Sequence, residues 1–159
     1  MKNLILLFSL AVLPINFVHG ATATGNLGLS GSIADAVALT VTPSANATAL
    51  VLTTTAVDVN VASVNEVSNA SNGYTISAKS ANASKLVHSA DSAYTVGYTI
   101  KYNGGSAITL TTSDQQVKSA VGGNYNVNSA VTISYTGVSS ASYKSGTYTD
   151  TITFTLQSL

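Results

Sequence analysis

The sequence predicts an all-β protein: an antiparallel, immunoglobulin-like β-sandwich of about eight or nine strands. Three observations carry this. Short segments place apolar residues at every second position, which is the period of extended chain with one buried face. Turn-forming residues separate those segments. Helix signals are nearly missing, since the chain has a single glutamate, Glu66, and no arginine, and no segment sustains an apolar period of 3.6 residues. Many short strands spaced by turns within one domain point to a sandwich, with a closed barrel as the alternative.

The first element is "MKNLILLFSLAVLPINFVHG", read as a cleaved secretory signal peptide over 1–20. Cleavage is expected after Gly20, or after Ala23 as second choice. The apolar stretch Leu4–Val18, broken by Pro14 and Asn16, is short for a membrane span. An exported protein without a membrane span after cleavage is therefore expected, extracellular or at the cell surface. Residues 21–36 form an extended N-terminal arm with Leu27, Leu29, Gly31, Ile33 and Asp35 at alternate positions. The alternation continues through Val37, Leu39 and Val41. Fifteen residues is long for one strand. The run either forms the chain's own first strand, bent near Gly31 or Ala34-Asp35, or completes the sheet of another molecule.

Residues 37–159 are expected to form the sandwich domain, with strand signals in order. "VALTVTP" places Pro43 at a strand end, where its missing N–H costs little. "TALVLTT" (48–54) and "VDVNVASV" (57–64) follow, the latter alternating Val57, Val59 and Val61. "NGYTISAKS" carries Tyr74 and Ile76 on one face, and "YTVGYTIKY" carries Tyr94, Val96, Tyr98, Ile100 and Tyr102 on one face. After it, a two-residue loop Asn103-Gly104 would set Ile100 opposite Ala107, whereas the preferred three-residue loop Asn103-Gly104-Gly105 sets Ile100 opposite Ile108 and keeps both aliphatic pairs inside, with Gly105 in the left-handed bulge position. "TTSDQQVKSAVGG" (111–123) breaks the alternation and reads as an irregular connection, with room for one helical turn. "NVNSAVTISYTG" and "GTYTDTITFTL" close the chain, the last placing Tyr148, Ile152, Phe154 and Leu156 on one side.

The expected mature chain sets five lysines against six carboxylates. So little charge leaves no footprint for nucleic acid or an anionic membrane surface. It also weakens the usual protection against self-association. With no cysteine, an exported fold must hold by core, ladders and neighbours. No catalytic, cofactor or metal site is expected. His88 reads as a solvent-facing residue at a strand end, and His88 and Ser89 on opposite strand faces make a poor dyad. Asp58, Asn60, Glu66, Asp91 and Asp114 are the only candidate hard-cation ligands and read as solvated surface groups. The alternating tyrosines read as inter-sheet packing with hydroxyls at the rim, rather than as a sugar platform. Asn46, Asn69 and Asn82 match the N-glycosylation pattern, which is frequent by chance in a chain of this composition.

The stretch "SGTYTDTITFTL" resembles the final strand of secreted bacterial pilin-type domains of the spore coat protein U and archaic chaperone–usher group. Those end in Gly-Thr-Tyr-x-Asp followed by alternating apolar residues. The likeness covers Gly146, Thr147, Tyr148, Asp150, Ile152, Phe154 and Leu156. The chain has no cysteine, where many of those subunits carry a disulfide. The resemblance implies an exported structural subunit of a fibre or pilus-like assembly, joined by β-strand complementation. Leu27, Leu29, Gly31 and Ile33 would then be donor-strand residues, and the partners would be further copies of the chain and a periplasmic assembly chaperone. The alternative is a self-contained secreted module that binds a glycan or surface partner.

Overall fold

The computed structural model describes residues 20–159, so the expected signal segment lies, but for Gly20, outside the described residues. The chain divides into two compact units, 1–32 and 33–159. In the first, residues 20–32 carry no regular secondary structure and their side chains are exposed.

The second unit is an antiparallel β-sandwich. Its strands are β1 (Val37–Pro43), β2 (Ala56–Ser68), β3 (Tyr74–Ser80), β4 (Lys85–His88), β5 (Thr95–Tyr102), β6 (Gln115–Ala120), β7 (Tyr125–Tyr135), β8 (Tyr148–Thr149) and β9 (Ile152–Ser158). A six-stranded sheet has the order β1-β2-β7-β5-β4-β8, and a three-stranded sheet the order β6-β3-β9. The core lies between them. Val64, Tyr98, Ile100, Val131 and Ile133 of the larger sheet meet Tyr74, Ile76 and Ala78 of the smaller. The alternation legible in β3 and β5 is the alternation of burial: Tyr74, Ile76, Ala78 and Ser80 point inward, as do Val96, Tyr98, Ile100 and Tyr102.

β2 changes phase. Val57 is exposed and Val61 buried, and register shifts on either side of Val59–Asn60 pass the inward face to Ala62, Val64, Glu66 and Ser68. Asp58 takes a left-handed φ of 53° at this irregularity. Each shift adds a residue and reverses the parity beyond it, so the inward positions run Ala56, Val59, Ala62.

Several expected elements take another form. The hairpin register holds, for Ile100 and Ile108 exchange both backbone hydrogen bonds, at 2.9 and 2.8 Å. The left-handed residues, however, are Asn103 (φ 48°) and Gly104 (φ 71°), not Gly105. Two positive φ values closed by the Gly105 N–H to Tyr102 carbonyl bond make a two-residue type I′ turn. The bulge that restores the Ile100–Ile108 register follows it. "TALVLTT" is not a strand. A 3-10 turn at Ala45–Thr48 precedes it, held where the Ser44 hydroxyl and Asn46 carboxamide both donate to the Asn60 carbonyl. Leu50 and Leu52 then pack on the core from an irregular segment. The supposed connection 111–123 contains β6, an edge strand antiparallel to β3. Finally, residues 146–156 are two strands. β8 pairs with β4 in the large sheet, β9 pairs with β3 in the small one, and the chain changes sheets at Asp150-Thr151.

Candidate functional site

β9 ends the three-stranded sheet, and its outer edge pairs with no strand among the described residues. Its inward side chains Ile152, Phe154 and Leu156 are only half-buried, although the β3 residues beside them, Ser80, Ala78 and Ile76, are fully buried. The other sheet ends carry the features that discourage strand addition. β1 ends in Pro43, β6 bears Lys118, and β8 is two residues long. β9, "ITFTLQS", has seven residues with no charge and no proline.

The stretch leading into β9 walls a cleft of about 700 Å³. Leu50, Leu52, Leu86, Val96 and Val138 supply its apolar lining, while Tyr143 to Asp150 form one side. Gly146 takes φ 148°, and a Cβ there would lie 2.4 Å from His88 Nε2. The Tyr148 ring meets the His88 ring edge-on at 5.0 Å, and its hydroxyl donates to the Lys144 carbonyl. Asp150 holds the sheet change: Oδ2 accepts from Ser80 Oγ (2.5 Å) and Tyr98 OH (2.7 Å), and Oδ1 from the Asn82 and Thr151 N–H groups. Gly146, Tyr148 and Asp150 therefore shape the cleft wall, and Ile152, Phe154 and Leu156 line the open edge.

Leu27, Leu29 and Ile33 are 84%, 88% and 90% exposed, the most exposed large apolar side chains among the described residues. Gly31 has no atom within 4 Å of where a Cβ would stand. The first strand among the described residues begins at Val37, so residues 27–36 are not part of it.

A second cluster escaped the sequence reading. Glu66 lies inside the sandwich at 0% exposure. Its Oε1 accepts from Tyr102 OH (2.7 Å) and Ser129 Oγ (2.5 Å), and its Oε2 from Tyr74 OH (2.5 Å) and Lys118 Nζ (2.6 Å). One carboxylate thus joins β2, β3, β5, β6 and β7. Burial pushes its pKa up, but the four donors outweigh burial and hold it below the ordinary value. Burial, with the facing carboxylate second, raises the pKa of Tyr74 and Tyr102, keeping both as hydroxyl donors. The signal was present: Glu66 shares the parity of Val64, and two core-phase tyrosines needed buried acceptors.

The remaining candidates resolve into structural roles. The tyrosine hydroxyls of β5 donate to carboxylates, Tyr98 to the partly buried Asp150 and Tyr102 to the buried Glu66. His88 is buried, contrary to expectation, because Tyr94, Tyr148 and Gly146 enclose its ring. Its Nδ1 accepts the Ala90 N–H, so Nε2 carries the proton and donates to the Ser145 carbonyl. The proposed cation ligands are dispersed. Asp58 pairs with Lys101, Asp91 with Lys144 and Asp114 with Lys79, and among the described residues no three acidic or histidine side chains cluster. The Lys101 hydrogen bond holds Asp58 below the usual carboxylate range, and that of Lys144 does the same for Asp91. Asn46, Asn69 and Asn82 each spend their carboxamide on a backbone carbonyl, of Asn60, Ala34 and Thr149 respectively. No helix among the described residues is long and apolar enough to cross a membrane. Compared with known proteins, the chain matches no family model and no curated sequence.

Proposed function

We propose that the protein is an exported structural subunit that assembles head to tail, the arm of one copy adding as a strand to the β9 edge of the next. The observation that carries this reading is the half-buried Ile152–Phe154–Leu156 row on an uncharged open edge. The exposed alternation Leu27, Leu29, Gly31, Ile33 matches it in period. In such strand addition, main-chain hydrogen bonds supply affinity and alternate side chains enter the groove. Full burial of Leu27, Leu29 and Ile33 contributes about 1.5–3 kcal/mol each before ordering costs. Arm and edge are different surfaces, so the contact is heterologous and propagates as an open chain.

The test is size-exclusion chromatography of the mature protein across a dilution series. Wild type should form concentration-dependent multimers, and Leu29→Asp should abolish them by placing a carboxylate in an apolar groove. Ser30→Asp, on the other face of the arm, should not. A subunit lacking residues 21–34 should become poorly soluble and be rescued by the peptide "TGNLGLSGSIA". A truncated protein that stays monomeric and fully stable would refute the proposal. That outcome would favour the second reading, a monomeric binding module that uses the cleft beside Tyr143 and Tyr148.

A further inference from the structure

The sequence holds two Asn-Gly pairs, Asn72-Gly73 and Asn103-Gly104. Their surroundings differ. Asn103 is exposed at the tip of the type I′ turn, and its carboxamide makes no hydrogen bond among the described residues. The Gly104 N–H likewise donates to no acceptor among them, and the space where a Cβ would stand is open. At the second pair, the Gly73 N–H donates to the Ala70 carbonyl (3.3 Å) and the Gly73 carbonyl accepts the Leu159 N–H (3.0 Å). A Cβ on Gly73 would lie 2.0 Å from the Ala120 carbonyl oxygen, so this peptide is wedged between neighbours.

We propose that Asn103 is a site of spontaneous deamidation and that Asn72, with the same sequence signature, is protected by the fold. The Gly104 nitrogen attacks Cγ of Asn103. The new N–Cγ bond closes a succinimide, the Cγ–Nδ2 bond breaks, and ammonia leaves with the proton from the Gly104 N–H. Water then opens the imide. Addition at Cγ breaks the new bond and gives an aspartyl residue. Addition at the α-carbonyl breaks the original peptide bond and gives an isoaspartyl residue, whose main chain runs through the extra methylene. Either product places a carboxylate on a chain of formal net charge zero. The isoaspartyl form also lengthens the turn whose Tyr102–Gly105 bond leads into the Ile100–Ile108 register.

The experiment incubates the full-length mature protein in mildly alkaline buffer, folded and in urea, with site-resolved peptide mass spectrometry over time. Fragmentation that separates aspartyl from isoaspartyl products assigns the chemistry. In the folded protein Asn103 should convert at least about tenfold faster than Asn72, and the ratio should fall towards one in urea, where local protection is gone. The isoaspartyl fraction should show faster hydrogen exchange at the Gly105 and Ile108 amides. Equal folded-state rates at the two asparagines, or an Asn103 that stays intact while the urea sample reacts, would overturn the proposal.

Discussion

Replacing Glu66 by alanine should remove a large part of the stability of the sandwich. The substitution leaves the hydroxyls of Tyr74, Tyr102 and Ser129 without their acceptor in a site closed to water. It also frees the Lys118 ammonium, on a side chain that is 22% exposed and can turn to solvent, so its loss is discounted. An orphaned buried hydroxyl costs about 1–3 kcal/mol, towards the low end where hydroxyls can rotate and pair with one another. Three of them give roughly 3–5 kcal/mol, the range found for breaking buried ion pairs. A domain of this size holds only about 5–15 kcal/mol in total. Glu66→Gln keeps the shape and one acceptor oxygen, so its cost should be roughly half that of alanine. The pH dependence has a definite sign. The folded carboxyl lies below its ordinary value of 4.5, so its stabilisation is complete above that value and is lost as pH falls through the lower folded one. Wild type should weaken in acid over that window, and Glu66→Gln should weaken less. Urea unfolding followed by far-ultraviolet circular dichroism suits a chain without tryptophan. An alanine variant within about 0.5 kcal/mol of wild type, or a glutamine variant with unchanged acid sensitivity, would refute this account of the core.

Further substitutions probe the cleft wall and the β9 edge. Gly146→Ala should cost about 1–3 kcal/mol, since φ 148° strains any other residue and the new methyl meets His88. The same change in a His88→Ala background should cost less, and equal costs in both backgrounds would show that the contact is irrelevant. Phe154→Ala should destabilise the isolated subunit by less than the roughly 3–5 kcal/mol of a fully buried phenylalanine, and Thr153→Ala on the outer face by under about 0.5 kcal/mol. Thermal melts of both would contradict the assigned face of β9 if Thr153 proved the more sensitive.

Strands whose side chains alternate between core and solvent were legible in the sequence, as β3, β5 and β7 illustrate. The failures have physical causes. Leu50 and Leu52 alternate like a strand because a loop that covers a core must also be apolar on one side. β6 was invisible because "QQVKSA" is an edge strand whose lysine, and not an aliphatic row, reaches inward to Glu66. The sheet change at Asp150-Thr151 preserves parity: Tyr148, Asp150, Ile152, Phe154 and Leu156 keep one period across two sheets. Alternation alone cannot register that the strand has changed partners. Likewise the open edge is a property of strand order, and no single strand's composition reveals it. In β2 two register shifts move the inward positions from Ala56 to Val59 to Ala62, so the row Val57, Val59, Val61 does not predict that Glu66 faces the core.

Two inward-facing carboxylates, the buried Glu66 and the partly buried Asp150, explain how a sandwich with unequal sheets and no disulfide can hold together. β3 is the central strand of the small sheet, and each of its ends is tied to the large one. At the first end Tyr74 donates to Glu66 of β2, which also accepts from Tyr102 of β5. At the other end Ser80 donates to Asp150, which accepts from Tyr98 of β5. Each carboxylate therefore fixes β3 against β5, at points six residues apart on β3 and four apart on β5. Among the described residues no buried side-chain polar atom is left unpaired, so these nodes cost no stranded hydrogen-bonding capacity. A partly satisfied network would loosen the sheet pairing, whereas a complete one fixes it in a single arrangement. The register of the small sheet is thus set by polar contacts at the ends of β3 and needs no strand beyond β9. In the assembly proposed above, the β9 edge is then in place before the arm adds, and the ordering cost falls on the incoming arm alone.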